Sequence, residues 1–384
     1  MAATAGLTAA ASLYLQYAAR IPPFSPRFQW PCHRDLLASQ STLDAILFEH
    51  SPPGESTDEY DRSFLKHLVK HIDTAIEHGT DEDAAWLNIA KQDWAVDDAL
   101  LERYVALVSM PDSTAILGAP APKPILSRHY FPLPTTAQPP HPLLGPCGSV
   151  VLREEGMAIS QGTTGLKTWE ASLRLAAYLV STGLLSGETD ARILELGSGA
   201  GFLGLVCAQL ISCLSHGSLY LTDLEGQVLD RLRETASLNH IEPIEILPLD
   251  WTEVQAKEDQ AVSFLQTINA TCILAADVVY DPSLVSSLAC TLRTALLGRD
   301  RDPCPAYLGD RSKPFALVSS TIRNPDTYSQ FLQALTDQKL QWRQLDPVKP
   351  NWSSLPGLPI FPSSHDPTTE GQVTIIEIQL VSPR

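Results

Sequence analysis

The run Ile193-Leu194-Glu195-Leu196-Gly197-Ser198-Gly199-Ala200-Gly201-Phe202-Leu203-Gly204 joins a continuous apolar stretch to closely spaced glycines. It reads as a buried strand that ends in a tight turn and opens a helix, where absent Cβ atoms let a nucleotide-like ligand approach the backbone. Gly199-x-Gly201-x-x-Gly204 also satisfies the dinucleotide fingerprint, and a turn needed only for strand-helix packing has the same pattern. Three further strand ends add chemistry. Leu219-Tyr220-Leu221-Thr222-Asp223 ends in an acid 26 positions after Gly197, and a carboxylate there can accept both hydroxyls of a ribose. Leu247-Pro248-Leu249-Asp250-Trp251 ends in an acid and a flat indole, suited to the exocyclic amine and the face of an adenine, although a lone tryptophan is more often core. Leu274-Ala275-Ala276-Asp277-Val278-Val279-Tyr280 ends in a small residue and an acid, with Tyr280 placed to turn back toward the same space.

These residues converge only if the strands that carry them run side by side. Strands are expected at 192–196, 218–223 and 244–249, with helices at 201–213 and 227–239 between and after the first two. The second half continues with strand 271–276, helix 283–297, strand 315–320, helix 325–338, and strands 340–345 and 373–381. This alternation predicts an α/β, doubly wound, mostly parallel sheet with an antiparallel carboxyl-terminal edge. Before it, 149–152 and 156–160 read as a hairpin and 166–181 as a helix, while 299–313 and 346–371 read as loops. No internal repeat is present.

The amino-terminal third has a different rhythm. Leu13, Tyr14, Tyr17 and Ile21 with Ala10 share one helical face, and a single arginine, Arg20, is too little for a transit peptide. Phe64, Leu65, Leu68, Val69, Ile72 and Ile76 draw a wide apolar stripe, and Leu100, Leu101, Tyr104, Val105 and Val108 draw another. Ten prolines within 111–146 predict an extended connector without regular structure. The expected organisation is a helical domain at 1–110, a linker at 111–146 and an α/β domain at 147–384.

Over all 384 residues, 44 acidic against 27 basic side chains leave a net charge of −17, which opposes general binding to phosphate backbones. No apolar run is long enough to span a bilayer. Seven cysteines without a C-x-x-C pair give neither a disulfide framework nor a metal site, and a reducing, cytoplasmic setting is expected. The acids concentrate in 55–102, 13 against 4 bases, which reads first as a solvated helix face and second as a docking surface for a basic partner.

Taken together, Glu195-x-Gly197-x-Gly199-x-Gly201, Asp223, Asp250-Trp251 and Asp277-x-x-Tyr280 resemble the class I, seven-stranded, S-adenosylmethionine-dependent protein-lysine methyltransferases. The segment Gly162-Thr163-Thr164-Gly165-x-x-x-Trp169 is similar to that family's cofactor-covering segment, and Ile322-Arg323-Asn324-Pro325 also matches. The branch that acts on elongation factor 2, with a helical domain ahead of the catalytic one, is similar over nearly the whole chain. The resemblance implies a Rossmann-like methyltransferase sheet and S-adenosyl-L-methionine held by Trp169, Glu195, Gly197, Ser198, Gly199, Gly201, Asp223, Asp250, Trp251 and Ala276. It assigns catalysis to Asp277 and Tyr280, as base or as clamp, and needs no metal. It further implies a monomer that trimethylates a lysine of elongation factor 2, docked by residues 1–110, without nucleic acid or membrane. Two other functions compete: a nicotinamide-dependent oxidoreductase, against which stands the lack of a Tyr-x-x-x-Lys pair after Tyr178 or Tyr280, and a noncatalytic interaction module, against which stands the intact set of acids and glycines.

Overall fold

The computed structural model describes residues 2–47, 58–78, 94–109, 125–133, 139–154, 167–185, 191–211, 218–224, 226–241, 244–298, 313–348, 352 and 355–381. The second arm of the expected hairpin, the 162–165 run, the 299–312 loop and residues 79–93 of the acidic stretch lie outside them. Chain contacts separate two units, Met1–Cys147 with Asn351–Ser364, and Gly148–Pro350 with His365–Arg384.

The first unit contains helices α1 (Ala2–Ala18), α2 (His33–Leu47), α3 (Asp58–His78) and α4 (Asp98–Val108), then strand β1 (Ile125–Pro132). Small residues bring α1 close to α2, since a Cβ on Gly6 would lie 3.0 Å from the Ala38 carbonyl oxygen. The face of Ala10, Leu13, Tyr14 and Tyr17 is buried, as is the α3 stripe from Phe64 to Ile72, with Ile76 half-buried at its end. Between them the Arg20 guanidinium lies 4.8 Å and 4.9 Å from the Tyr17 and Tyr60 ring centres and pairs with Asp61 at 3.2 Å, so the buried charge is both paired and stacked.

Two expectations for this unit need correction. On α4 the buried residues are Leu100 and Leu107, one face seven residues apart, whereas Leu101, Val105 and Val108 are exposed. The stretch 111–146 contains a strand, because Ile125–Phe131 is free of proline and its prolines fall at the ends. The described residues of 346–371 have loop backbone, as expected, and they include core side chains: Trp352, Ile360 and Phe361 are buried, and Phe361 packs on Phe131 at 6.0 Å between ring centres.

The second unit begins with β2 (Cys147–Glu154, from Gly148) and α5 (Glu170–Thr182). There follow β3 (Arg192–Leu196), α6 (Phe202–Ile211), β4 (Ser218–Asp223), α7 (Gln227–Leu238), β5 (Glu245–Pro248), α8 (Trp251–Gln255), α9 (Asp259–Ile268), β6 (Cys272–Ala276), α10 (Val285–Leu297), β7 (Phe315–Ile322), α11 (Pro325–Asp337), β8 (Leu340–Gln344) and β9 (Gln372–Leu380). Helices α8 and α9 were not foreseen; Ala261, Leu265 and Ile268 form their buried stripe on α9.

Seven strands form one sheet in the order β5-β4-β3-β6-β7-β9-β8. Strands β3 to β7 pair in parallel, and β9 inserts antiparallel between β7 and β8. The order reverses between β3 and β6, so a crevice opens there at the carboxyl ends of the strands. Strand β2 is fastened by Asn239, whose amide donates to the Val151 carbonyl at 2.7 Å and accepts from the Val151 N–H at 2.8 Å.

The glycines that follow β3 are required by the protein's own packing. Gly197, Gly199 and Gly201 have φ of +67°, +53° and +91°. A Cβ on Gly197 would lie 2.8 Å from Val278 Cγ1, while Cβ atoms on Gly201 and Gly204 would overlap the Leu232 and Leu221 side chains. Gly201→Ala therefore combines left-handed backbone with overpacking and is expected to destabilise the fold by about 2–4 kcal/mol. Urea denaturation of the variant measures this, and a loss below about 0.5 kcal/mol would mean that neither effect operates at this turn.

Candidate functional site

Parallel register brings the strand ends level. Leu196 lies opposite Thr222 on one side and Ala275 on the other, Asp223 lies opposite Pro248, and Ala276 lies opposite Ser319. Gly197, Asp223, Leu249 and Asp277 at the ends of β3, β4, β5 and β6 therefore face the same crevice, a cavity of about 630 Å³. All twelve residues expected at a site line it: Trp169, Glu195, Gly197, Ser198, Gly199, Gly201, Asp223, Asp250, Trp251, Ala276, Asp277 and Tyr280. Lys167, Leu249 and Val278 also contribute to the wall and were not foreseen.

Each acid is held differently. Glu195 is buried in β3, where its Oε2 has no hydrogen-bond partner among the described residues and lies 2.6 Å from the position of a Gly204 Cβ. Burial pushes its carboxyl up to about 8. Asp223 is also raised by burial, partly offset by N–H groups of Gly199 and Leu224 that donate to its two oxygens at 2.8 Å each. Asp250 uses Oδ1 to cap α8, accepting from the Thr252 N–H at 2.7 Å and hydroxyl at 2.6 Å. Trp251, the first residue of α8, presents its half-buried ring to the cavity beside Gly197.

Asp277 is the most constrained. It has a φ of +57°, its N–H donates to the Ser319 carbonyl at 2.8 Å, and its Oδ1 accepts from the Thr321 N–H at 3.1 Å. The Arg323 guanidinium closes on it with two bonds, Nη1 to Oδ1 at 3.2 Å and Nη2 to Oδ2 at 2.8 Å. Arg323 Cζ also lies 4.9 Å from the centre of the Trp169 ring, and Lys167 Nζ lies 5.7 Å from it. The carboxylate is ion-paired, because β6 and β7 are parallel neighbours whose ends place an acid and a base together. Arg323 entered the sequence reading only within the matching run 322–325, and the pairing of β6 with β7 is the signal that joins it to Asp277. Tyr280 lines the cavity with 56% of its surface exposed.

The cavity thus offers apolar walls, a flat ring and buried acceptors. The unpartnered Oε2 of Glu195 and the raised carboxyl of Asp223 suit a ligand that brings hydroxyl donors and positive charge, and a pyrophosphate would aggravate both. The chemistry of these residues fits an S-adenosylmethionine-sized ligand better than a dinucleotide.

Because the folded state raises the Glu195 value above that of the unfolded chain, its contribution to stability is complete below about pH 4.5 and is lost as pH rises through about 8. Glu195→Gln removes that loss. Its denaturation midpoint relative to the unsubstituted protein is expected to improve as pH rises from about 4.5 to about 8. Parallel midpoints across that range would mean that Glu195 ionises in the folded chain as easily as in water.

A family profile described as lysine methyltransferase matches residues 152–344. The protein-lysine N-methyltransferase EEF2KMT of Mus musculus is 33% identical over 217 residues, covering 53% of this chain and 58% of its own. The protein-lysine N-methyltransferase EFM3 of Chaetomium thermophilum is 26% identical over 309 residues, covering 78% of this chain and 79% of its own. The chain thus spans 58% of the length of the mouse relative. No helix among the described residues is long and apolar enough to cross a membrane. With half of its length matched by the profile, and with the glycine turn and strand-end acids inside that match, the chain belongs to the lysine methyltransferase family.

Proposed function

We propose that this protein is an S-adenosylmethionine-dependent N-methyltransferase that trimethylates a lysine side chain of translation elongation factor 2 in the cytoplasm. The observation that carries the reading is the convergence of Glu195, Asp223, Trp251 and Asp277 on one cavity at the switch point of a seven-stranded sheet. Likeness to the relative named EEF2KMT supports the choice of substrate. On this reading the chain acts as a monomer on a protein, and its acid-rich amino-terminal unit docks the substrate.

S-adenosylmethionine, when bound, supplies a methyl group activated by a positive sulfonium. The residues of the chain bind, orient and dehydrate. Asp223 would accept from the ribose, the Trp251 ring would cover the adenine, Asp250 would retain Oδ2 for its amine, and the Gly197–Gly201 turn would let the ligand approach the backbone closely. Glu195, Ser198, Trp169 and Ala276 complete the enclosure. An in-line displacement needs no covalent intermediate with the enzyme, so alignment and exclusion of water provide most of the acceleration. The acceptor lysine must be neutral, and at pH 7 deprotonation from a reference value near 10.4 costs about 4.6 kcal/mol. Asp277 and Tyr280 orient that amine at the mouth of the cavity.

Calorimetry against S-adenosylmethionine and NAD, followed by mass spectrometry of elongation factor 2 incubated with the protein, tests the reading in two stages. Binding of the first cofactor alone and a mass gain of three methyl groups on one lysine are expected. Asp223→Asn keeps the contact with Gly199 within reach while removing the charge, and is expected to weaken cofactor binding by about 1.5–3 kcal/mol. Preference for NAD would withdraw the reaction class; methylation of other proteins but not of this factor would withdraw only the substrate.

A further inference from the structure

Three observations surround the acceptor end of the cavity. Asp277 and Trp169 both line it, a carboxylate and an aromatic face within reach of one cation. That cation is present in the chain itself: Arg323 grips both oxygens of Asp277 and lies over the Trp169 ring. The pair is asymmetric in exposure, with the Asp277 side chain 6% accessible and the Arg323 side chain 41% accessible. The Thr321 N–H holds one carboxylate oxygen and the Asp277 N–H ties its backbone to Ser319, whereas the more exposed guanidinium grips both oxygens.

A buried carboxylate beside an aromatic face is a strong site for an alkylammonium. For an enzyme that needs a neutral amine, such a site has the wrong preference, because every favourable contact with the ammonium raises the acceptor's proton affinity. A guanidinium changes that preference without being able to lose its own proton. The carboxylate is then compensated, and a second cation gains nothing from approaching it.

We propose that Arg323 is a specificity-determining residue of the acceptor end: by occupying the Asp277 carboxylate and the Trp169 face, its guanidinium denies that subsite to an alkylammonium, so the acceptor lysine is admitted there as a neutral amine. The assignment rests on the methyltransferase reading for its consequence, but the occupancy itself does not. Lys167 is the other cation over the same ring; it lies farther from it, and no bond joins it to the carboxylate among the described contacts.

The test therefore uses a cation alone. n-Butylammonium, a mimic of the lysine side chain, is titrated at neutral pH and constant ionic strength into the full-length protein and its variants, with binding followed by nuclear magnetic resonance. Arg323→Gln removes the charge but retains an amide donor for Asp277, and it is expected to bind the probe at least tenfold more tightly than the unsubstituted protein. Arg323→Lys, which keeps the charge and loses the fork, is expected to fall between the two. Adding Asp277→Asn to Arg323→Gln is expected to abolish the gain. If the glutamine variant fails to fold, the lysine variant still decides, since the proposal requires it to exceed the unsubstituted protein by at least twofold. Probe affinities equal within twofold across the folded variants, or a gain that survives Asp277→Asn, would overturn the proposal. In parallel methylation assays, Arg323→Gln is expected to lower kcat more than it raises KM. Failure of the unsubstituted protein to methylate any protein counts against the proposed function, while the probe titration still decides the occupancy.

Discussion

Leu196 lies opposite Thr222 of β4 and Ala275 of β6 at once, and this double register determines where every strand-end acid can reach. Parallel pairing places Glu195, Asp223 and Asp277 on one edge of the sheet although they are far apart in sequence. The reversal of strand order at β3 and β6 then opens the edge into a crevice. A slip of one residue in β3 would turn Glu195 to the opposite face of the sheet and align its neighbours with the cavity. The buried apolar side chains of β3, Ile193, Leu194 and Leu196, hold it against both faces and prevent that slip.

The acids at this edge sit in three electrostatic conditions. Glu195 is dehydrated with one oxygen unpartnered, Asp223 is dehydrated but held by two N–H groups, and Asp277 is dehydrated and fully ion-paired. The β3–β4 side of the crevice therefore carries unspent acceptor capacity, and at the β6 side the charge of Asp277 is already compensated. This gradient suits a ligand whose donors and positive charge lie toward β3 and β4.

Most of this arrangement was legible in the residues. Strand and helix alternation predicts the sheet, and placing an acid or glycine after each apolar strand predicts which edge carries the chemistry. All twelve expected site residues line one cavity for that reason. Three features were less legible because they depend on packing between distant segments. A strand among prolines, Ile125–Pro132, lacks the alternation that marks strands elsewhere. The core role of Trp352 and Phe361 is hidden in a proline-rich segment that lies far along the chain from Phe131. The glycine turn was read as room for a ligand, yet the atoms that a Cβ would meet at Gly197 and Gly201 belong to Val278, Trp251, Leu232 and Leu205.

The two sides of the crevice reach positive φ by different means. After β3 the chain uses glycines, which adopt that conformation without a Cβ penalty. After β6 it uses Asp277 at +57°, a conformation that an aspartate enters at a cost of about 1 kcal/mol. The Thr321 N–H and the Arg323 fork offset that cost, and both come from β7 and its end rather than from β6. Glycine at this position would relieve the backbone and lose the carboxylate; an unpaired aspartate would keep the carboxylate and leave it buried with one backbone donor. The pairing of β6 with β7 is therefore what makes an acid tolerable here, and any change that frees Arg323 acts on the backbone of the acceptor end as well as on its charge.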